Sequence, residues 1–428
     1  MRRGQKWLVG TGVLVALLGG LGLGLALLLP SDEDLAVRAS RELQSRLGVP
    51  VKVGSLHWRL FPMPAVVLQD TATEQPQAIT VKQLTVYPNL AALMDGRLKL
   101  DRAELDGAVL PQLSLRALDK EASDAADPNA AAAPLERLVL RDATWISRFG
   151  RAITFEGEVD FDPNWRPRQA ELRRPGVQPA TDLSLARQGQ EDRWTTRINI
   201  GGGTAHGEVQ LQTRANGRLH LDGKLQPRGV EVASALAAFQ RHSVVSGKAS
   251  GDTALSANGD TVGDLAQSLH SKTSFTMGRD SVLRVDVDKA IRSFGKEHAG
   301  QTPMDSITGQ LDTQNTPKGM VVSLTGIKAS SGALSASGQA RIANRQIEAE
   351  FTVDLVDGLV GLPIQLSGPL EKIRVSVPPG TITGAVLGTA VLPGVGTAIG
   401  ARIGATLGRM FSAEPDRNSG PAPSRKPP

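Results

Sequence analysis

Cysteine is absent from all 428 residues. That excludes a disulfide framework, thiolate catalysis, iron–sulfur clusters and cysteine-based zinc sites. It leaves the compartment open, because a large exported domain can do without disulfides. Aromatic residues are scarce as well, with one Tyr, nine Phe and five Trp making 4% of the chain. Base-stacking nucleic-acid platforms depend on such rings. A basic stripe is also lacking. The formal net charge is +5, but Arg2, Arg3 and Lys6 supply three charges at one end. At the other end Arg402, Arg409, Arg417, Arg425 and Lys426 outnumber Glu414 and Asp416 by three, so residues 7–379 carry −1. A nucleic-acid binder carries its cations on the folded body. Basic ends beside apolar segments suggest membrane topology instead.

Catalytic signatures are missing too. His57, His206, His220, His242, His270 and His298 show neither a His-Glu-x-x-His pattern nor any other ligand spacing, and there is no Gly-x-Ser-x-Gly elbow. Ser246-Gly247-Lys248 is followed by Ala249, which breaks the phosphate-loop pattern. Gly394-x-Gly396-x-x-x-Gly400 lacks the βαβ context that a dinucleotide fingerprint requires. Asp286 and Asp288 sit at a predicted helix start, where acids favour the dipole. Glu156, Glu158, Asp160 and Asp162 alternate with apolar residues, as the solvated face of a strand does. Trp145, Trp165 and Trp194 read as core or rim aromatics rather than a stacking box. No enzyme activity, catalytic residue, metal or cofactor is expected.

Long charge-free runs, by contrast, are present. Trp7 to Leu29 holds no charge. At about 1.5 Å per residue it spans roughly 30–35 Å, enough for a bilayer core. The alternative is a cleaved signal peptide, but bulky Leu27, Leu28 and Leu29 stand where a cleavage site wants small residues. An uncleaved membrane span is expected, with the N-terminus cytoplasmic and the bulk outside. Gly20 and Gly24 have a spacing that lets helices approach. A second charge-free segment runs from Gly380 to Ala401, and Gly384, Gly388, Gly396, Gly400, Gly404 and Gly408 recur through it and just past it at multiples of four. This glycine zipper is broken by Pro393-Gly394 into two arms, each too short to span a membrane. It reads as a membrane hairpin or as a helix pair packed on the protein's own sheet.

Between these segments a two-residue period dominates. Phe155, Val159 and Phe161 alternate with acids, as do Ile347, Phe351, Val353 and Leu355 with polar residues. Such alternation predicts an antiparallel sheet with one dry and one wet face. About twenty strands fit between Val51 and Val377. Asn216-Gly217 and Asn258-Gly259 are the strongest tight-turn signals. A helix is predicted over Ser31–Leu47, capped by Ser31 and ended by Gly48. Shorter helices are predicted over Pro88–Met94, Val230–His242, Val262–Leu269 and Val285–Lys296. The expected divisions are an anchor (1–30), an N-terminal helix with the first strands (31–118), a low-complexity linker (119–134), a β-rich body (135–379), the zipper (380–411) and a Pro-rich tail (412–428).

Several segments follow one another in a telling order. They begin with Leu47-Gly-Val-Pro-Val-Lys-Val-Gly54, Arg59-Leu-Phe-Pro-Met-Pro64, Val67-Leu-Gln-Asp70 and Ile79 to Tyr87. Leu90-Ala-Ala-Leu-Met-Asp-Gly-Arg-Leu98 and Leu105-Asp-Gly107 follow. Gly247 to Gly251, Ala257 to Leu265, Ser268-Leu269, Val285 to Ile291 and Gly361 to Gly368 complete the series. In that order they resemble the AsmA-like family, from which the chain departs in its shortness and in its terminal zipper. The resemblance implies a mainly β fold with short helices, a long curled antiparallel β-groove behind a transmembrane helix. It also implies an inner-membrane-anchored periplasmic protein of outer-membrane biogenesis that binds or conducts phospholipid or another lipid. Phe155, Val159, Phe161, Ile347, Phe351, Val353 and Leu355 would then line the groove. The other reading is a non-enzymatic scaffold for envelope proteins, with the sheet faces packed on one another.

Overall fold

The computed structural model describes residues 32–376, apart from residues 60, 116–132, 261, 294, 317, 333, 356–360 and 371. The expected anchor, zipper and tail, and most of the expected linker, lie outside the described residues. No described helix is long and apolar enough to cross a membrane.

The chain enters through α1 (Asp32–Leu47). The predicted stripe is realised: Leu35, Leu43 and Leu47 are buried and Ala39 partly so. Gly48 stops the helix with φ +70°, its N–H donating to the Gln44 carbonyl at 2.9 Å. The predicted cap, Ser31, lies outside the described residues. Then come β1 (Val51–Lys52), β2 (Ser55–Arg59), β3 (Ala65–Thr73), β4 (Thr80–Pro88), α2 (Leu90–Met94), β5 (Leu100–Pro111) and β6 (Leu135–Ile146). The middle comprises β7 (Ala152–Phe161), β8 (Pro167–Arg173), β9 (Asp182–Arg187), β10 (Arg193–Ile200), β11 (Gly203–Thr213), β12 (Leu219–Arg228), β13 (Val230–Glu231), α3 (Val232–Ala237), β14 (Val245–Ser246) and β15 (Lys248–Gly259). The last part holds α4 (Val262–Ser268), β16 (His270–Met277), β17 (Ser281–Leu283), α5 (Val287–Arg292), β18 (Thr302–Met304), β19 (Ser306–Thr316), β20 (Gly319–Ser331), β21 (Leu334–Ala343), β22 (Gln346–Leu355), β23 (Leu362–Pro369) and β24 (Arg374–Ser376).

Twenty-one of these strands form one sheet, while β14, β17 and β18 form a small second one. The large sheet is a meander in which each strand pairs with its predecessor, apart from the excursion into the small sheet. β1 and β2 share one side of β3, and β12 and β13 share one side of β15, so the 21 strands make 19 rungs. At about 4.8 Å per rung the sheet is roughly 86 Å wide. Its first and last rungs are not paired with each other, so it stays open.

One pairing departs from the expected antiparallel pattern. β5 and β6 run parallel, Ala103 against Leu138 and Leu105 against Leu140. A parallel pair needs a crossover connection rather than a tight turn. Ala133 and Pro134, expected in the linker, already belong to the fold: Ala133 is buried and the Pro134 carbonyl accepts from Leu100 N–H at 2.8 Å.

The two turn signals fare differently. Asn216-Gly217 does turn β11 into β12, with Gly217 at φ +78° and Arg214 N–H bonded to the Arg218 carbonyl at 2.8 Å. Asn258-Gly259 instead ends β15, where Asn258 Oδ1 meets His220 Nδ1 at 2.6 Å across the ladder. The helix expected over Pro88–Met94 starts later, because Pro88 is the last residue of β4. Asn89 caps α2 by accepting from Ala92 N–H at 2.8 Å. The helix expected over Val230–His242 shrinks to α3, since Val230 and Glu231 pair with Ala249 and Lys248.

A line of bulges crosses the first rungs. Asp70 in β3, Gly107 in β5 and Asp142 in β6 all have positive φ, at 50°, 60° and 50°. Lys82 of β4 lies between Asp70 and Gly107, and Gly54 N–H bonds the Gln69 and Asp70 carbonyls. Each breaks the two-residue alternation, but only Asp142 changes a register: β6 has one residue more than β7 between Leu140 and Ala143, whereas β3–β4, β4–β5 and β5–β6 run through this line unshifted. Inward residues are therefore three apart here: Leu68 and Thr71, Leu105 and Ala108, Leu140 and Ala143. Bulges also bend and twist a strand, which suits a sheet packed around α1.

Candidate functional site

Residues directly opposite each other in a ladder share a face. Following the register from rung to rung traces one row across the whole sheet. It runs Trp58, Val66, Val86, Ala103, Leu138, Val159, Ala170, Leu185, Thr196, Gly207, Leu225, Thr253, Thr273, Leu311, Leu324, Ala340, Ala349, Leu366, Val375. No member is charged. The opposite face beside it carries ion pairs such as Arg137–Asp160 at 2.6 Å and Arg173–Glu156 at 2.8 Å.

What covers this apolar face changes along the sheet. α1 lies over the first rungs. The "proximal" end, marked by Pro64, Pro88, Leu135 and Phe161, carries α4, whose Leu265 packs with Trp194, Leu211, Leu219 and Ala257. At the opposite, "distal" end the small sheet and α3 cover Met277, Ile307 and Ile327, and α5 covers Val353, Leu362 and Ile364 through Ile291. Between them Leu172, Leu183, Ile198, Val209, Leu255 and Leu311 belong to none of the packed clusters and keep partial solvent contact.

Glycines on the apolar face record how closely neighbouring strands lean over it. A Cβ built on Gly157, Gly207, Gly251 or Gly338 would lie 1.9–2.2 Å from a carbonyl oxygen of the adjacent strand. Only a residue without a side chain fits such an approach.

The predicted lining residues from Phe155 to Val353 fall on this face, but in different settings. Val159 is in the row itself; Phe155 and Phe161 flank it on β7, and Ile347, Phe351 and Val353 flank Ala349 on β22. Phe161, Ile347 and Val353 are buried in packed clusters, whereas Phe155, Val159 and Phe351 are partly exposed. Leu355 stands opposite Leu334 in the ladder. Phe155 also lies under a guanidinium: Arg174 sits 5.6 Å from its ring centre and 5.7 Å from that of Phe239. Arg174 bonds the Thr154 carbonyl at 3.1 Å and the Ala238 carbonyl after α3, tying that helix to the distal edge. Burial pushes its guanidinium below the ordinary value.

Charge reaches the apolar face at the proximal edge. The expected row of four acids holds for Glu156, Glu158 and Asp160, which pair with Arg173 and Arg137 on the outer face. Asp162 leaves that row after a bulge between Asp160 and Phe161. It pairs instead with Arg187 at 2.8 Å, both side chains largely buried, next to Arg166–Asp192 at 3.1 Å. Burial raises the Asp162 carboxyl, but bonds from Arg187 and from Arg166 and Asn164 N–H outweigh it and hold it below the usual range. At Asp192 burial prevails over Arg166 and Arg187 and pushes the carboxyl up. Asp286 and Asp288 act as a helix start, with Asp286 capping α5 through Lys289 N–H and Asp288 pairing with Arg292 at 2.8 Å. Trp165 and Trp194 are buried and Trp145 partly so. Among the described residues no three His, Asp or Glu side chains gather to hold a metal ion.

Comparison with known proteins adds one segment. Residues 379–419 match the model of a family described as a glycine zipper, of the Omp type. The match includes Gly384, Gly388, Gly396, Gly400, Gly404 and Gly408, all outside the described residues. No curated protein and no solved structure matches the chain.

Sequence periodicity found the face but not the row. The row depends on the pairing register between strands, which no pattern within a single strand gives.

Proposed function

We propose that this is a membrane-anchored, AsmA-like protein of the periplasm that binds or conducts lipid along its apolar sheet face, without covalent chemistry. The observation that carries the reading is the uncharged row crossing all 19 rungs, together with the partly exposed Leu172, Leu183, Ile198, Val209, Leu255 and Leu311 on the same face about its middle. An apolar surface that long is unstable in water unless it is occupied or closed over. Acyl chains match it, being apolar, flexible and indifferent to hydrogen bonding. The close strand approaches at Gly157, Gly207, Gly251 and Gly338 suit a sheet curled around such a chain. The charge-free run Trp7–Leu29 would hold the protein at the inner membrane, and the zipper would add a second apolar contact.

Photo-crosslinking in the full chain tests this. A photoreactive residue at Leu255 or Phe351 should label acyl chains of co-extracted lipid, and one at the outward Ala254 or Thr352 should not. Labelling at neither inward position, with a stable lipid-free protein in native mass spectrometry, would sink the proposal.

A further inference from the structure

The proximal end carries a gathered apolar surface. Phe61 and Met94 are 86% and 89% exposed, Met63 53% and Leu90 49%. Phe61 and Met63 lie in the turn between β2 and β3, and Leu90 and Met94 lie on α2. The two sites are neighbours, because Met63, Pro64, Pro88 and Leu90 line one cleft of about 540 Å³, which they share with charged side chains of the outer face, Arg102, Arg137 and Asp160 among them. Single exposed apolar side chains are ordinary, but four on adjacent turns mark a contact surface.

The direction of α1 says what that surface faces. Val53 N–H donates to Ser40 Oγ at 3.2 Å, and α1 passes through Gly48 into β1. The helix therefore runs antiparallel to β1 and β2. Its first eight residues extend about 12 Å beyond Ser40, toward Arg59 and the proximal end. Only Pro30 and Ser31 separate Asp32 from the charge-free run that ends at Leu29, a tether of about 10 Å. A chain leaving a bilayer at Leu29 would hold the proximal end against the surface it has just left. Just after α2, Arg97 pairs with Asp95 at 2.9 Å and Lys99 with Glu136 at 2.6 Å, so the apolar side chains are rimmed by charge.

We infer that Phe61, Met63, Leu90 and Met94 insert into the interfacial layer of the membrane that holds the anchor, seating the proximal end of the sheet on lipid. This rests on the anchored reading above and adds the place at which the sheet would meet the bilayer. Interfacial insertion of this kind reaches about 5–10 Å below the headgroups.

The lack of native cysteine makes the test direct. Full-length Phe61→Cys, Met94→Cys and Phe149→Cys proteins are labelled with an environment-sensitive fluorophore and reconstituted in phosphatidylethanolamine–phosphatidylglycerol vesicles. Phe149 is also exposed but follows the distal end of β6, about 40 Å away along a 12-residue strand. Nitroxide-labelled lipids should quench the probes at 61 and 94 at least about fivefold more than at 149, as interfacial depth requires. Equal, weak quenching at all three sites in protein that still floats with the vesicles overturns the inference and leaves the anchor standing. A blue shift without lipid quenching means that protein covers the surface, a second copy included, and overturns it too. Protein that does not float takes down both readings.

Discussion

The sheet is one continuous ladder, yet its two parts solve the same problem differently. Over β1–β6 a 16-residue helix covers the apolar face, and Leu68, Leu84, Leu100 and Leu135 are exposed by 1% or less. Over β8–β20 the same face has cover only near its ends, and Leu172, Leu183, Ile198, Val209, Leu255 and Leu311 stay partly exposed. The difference is not one of local sequence, since strands in both parts alternate apolar and polar residues. It lies in whether a second layer is supplied. The first part is a self-sufficient core; the second has its apolar side chains arranged but not enclosed.

The sharpest way to break that contrast is truncation of one leucine in each part. Leu84→Ala removes a side chain held between α1 and the sheet and should cost about 2–5 kcal/mol, the range for large cavities in closed cores. Leu255→Ala leaves an already hydrated site and should cost under about 1.5 kcal/mol, since less apolar area is re-exposed. Denaturant midpoints followed by circular dichroism on lipid-free protein measure both. Equal losses would mean that the central face is packed as tightly as the first, and the contrast would be void.

The next effect tests how the open part is shaped. Gly207 lies in the row, and an added Cβ would sit 1.9 Å from the Lys224 carbonyl oxygen. Gly207→Val should therefore destabilise by about 1–3 kcal/mol through overpacking. It should also reduce any lipid carried by the central strands. Gly229→Ala meets nothing within 4 Å of its Cβ but has φ +63°, so it isolates backbone strain from steric closure. If Gly207→Val proved no worse than Gly229→Ala, the close approach would not be shaping the face.

These features were unevenly legible in the sequence. The dry face of β7 and β22 was readable because Phe155, Val159 and Phe161, or Ile347, Phe351 and Val353, alternate without interruption. α1 was readable because Leu35, Leu43 and Leu47 recur on one helical stripe and Gly48 ends it. The bulges were not: Asp70 and Asp142 look like ordinary outward acids, and only the pairing register reveals that each occupies a left-handed conformation. The parallel β5–β6 pair was hidden for a similar reason, since the relative direction of two strands is not written in the alternation of either one. Asn258-Gly259 misled because a dipeptide suited to a turn also suits a strand end where Asn258 bonds His220. Phe61 and Met94 gave no periodic signal at all; their position matters only once β2, β3, β4 and α1 are seen to share one end.

A smaller effect concerns one of the few elements that touch the open part. Glu231 caps α3, accepting from Ala233 N–H at 3.1 Å and Ser234 N–H at 2.5 Å, and also from Gly247 N–H at 2.9 Å. Burial raises its carboxyl, but these donors more than reverse that and hold it at about 2. A depressed carboxylate stabilises the fold above its unfolded value, near 4.5, and loses that contribution as pH falls toward 2. Glu231→Gln should therefore cost about 0.5–2 kcal/mol at pH 7, the range for a lost helix cap. The gap to wild type should narrow between about pH 4.5 and 2. Thermal melts of both proteins at pH 7, 4 and 2.5 would show it, and a gap independent of pH would assign the loss to packing instead.

The smallest expected effect separates the two faces of a single strand. Arg137 spans Asp160 at 2.6 Å on the outer face, with its side chain 47% exposed. Solvent screens such a pair and side-chain entropy opposes it, so Arg137→Ala should cost only about 0.2–1 kcal/mol, and less in high salt. Its rung neighbour Leu138 points to the opposite face, into the core beneath α1. Leu138→Ala should cost several times more and be indifferent to salt, because what it loses is apolar contact. Comparing the pair at low and high ionic strength tests the side-chain facing assigned to β6, from which the row across the sheet is traced. A salt-sensitive loss at Leu138, or a large salt-insensitive one at Arg137, would reverse the faces and with them the position of the apolar row.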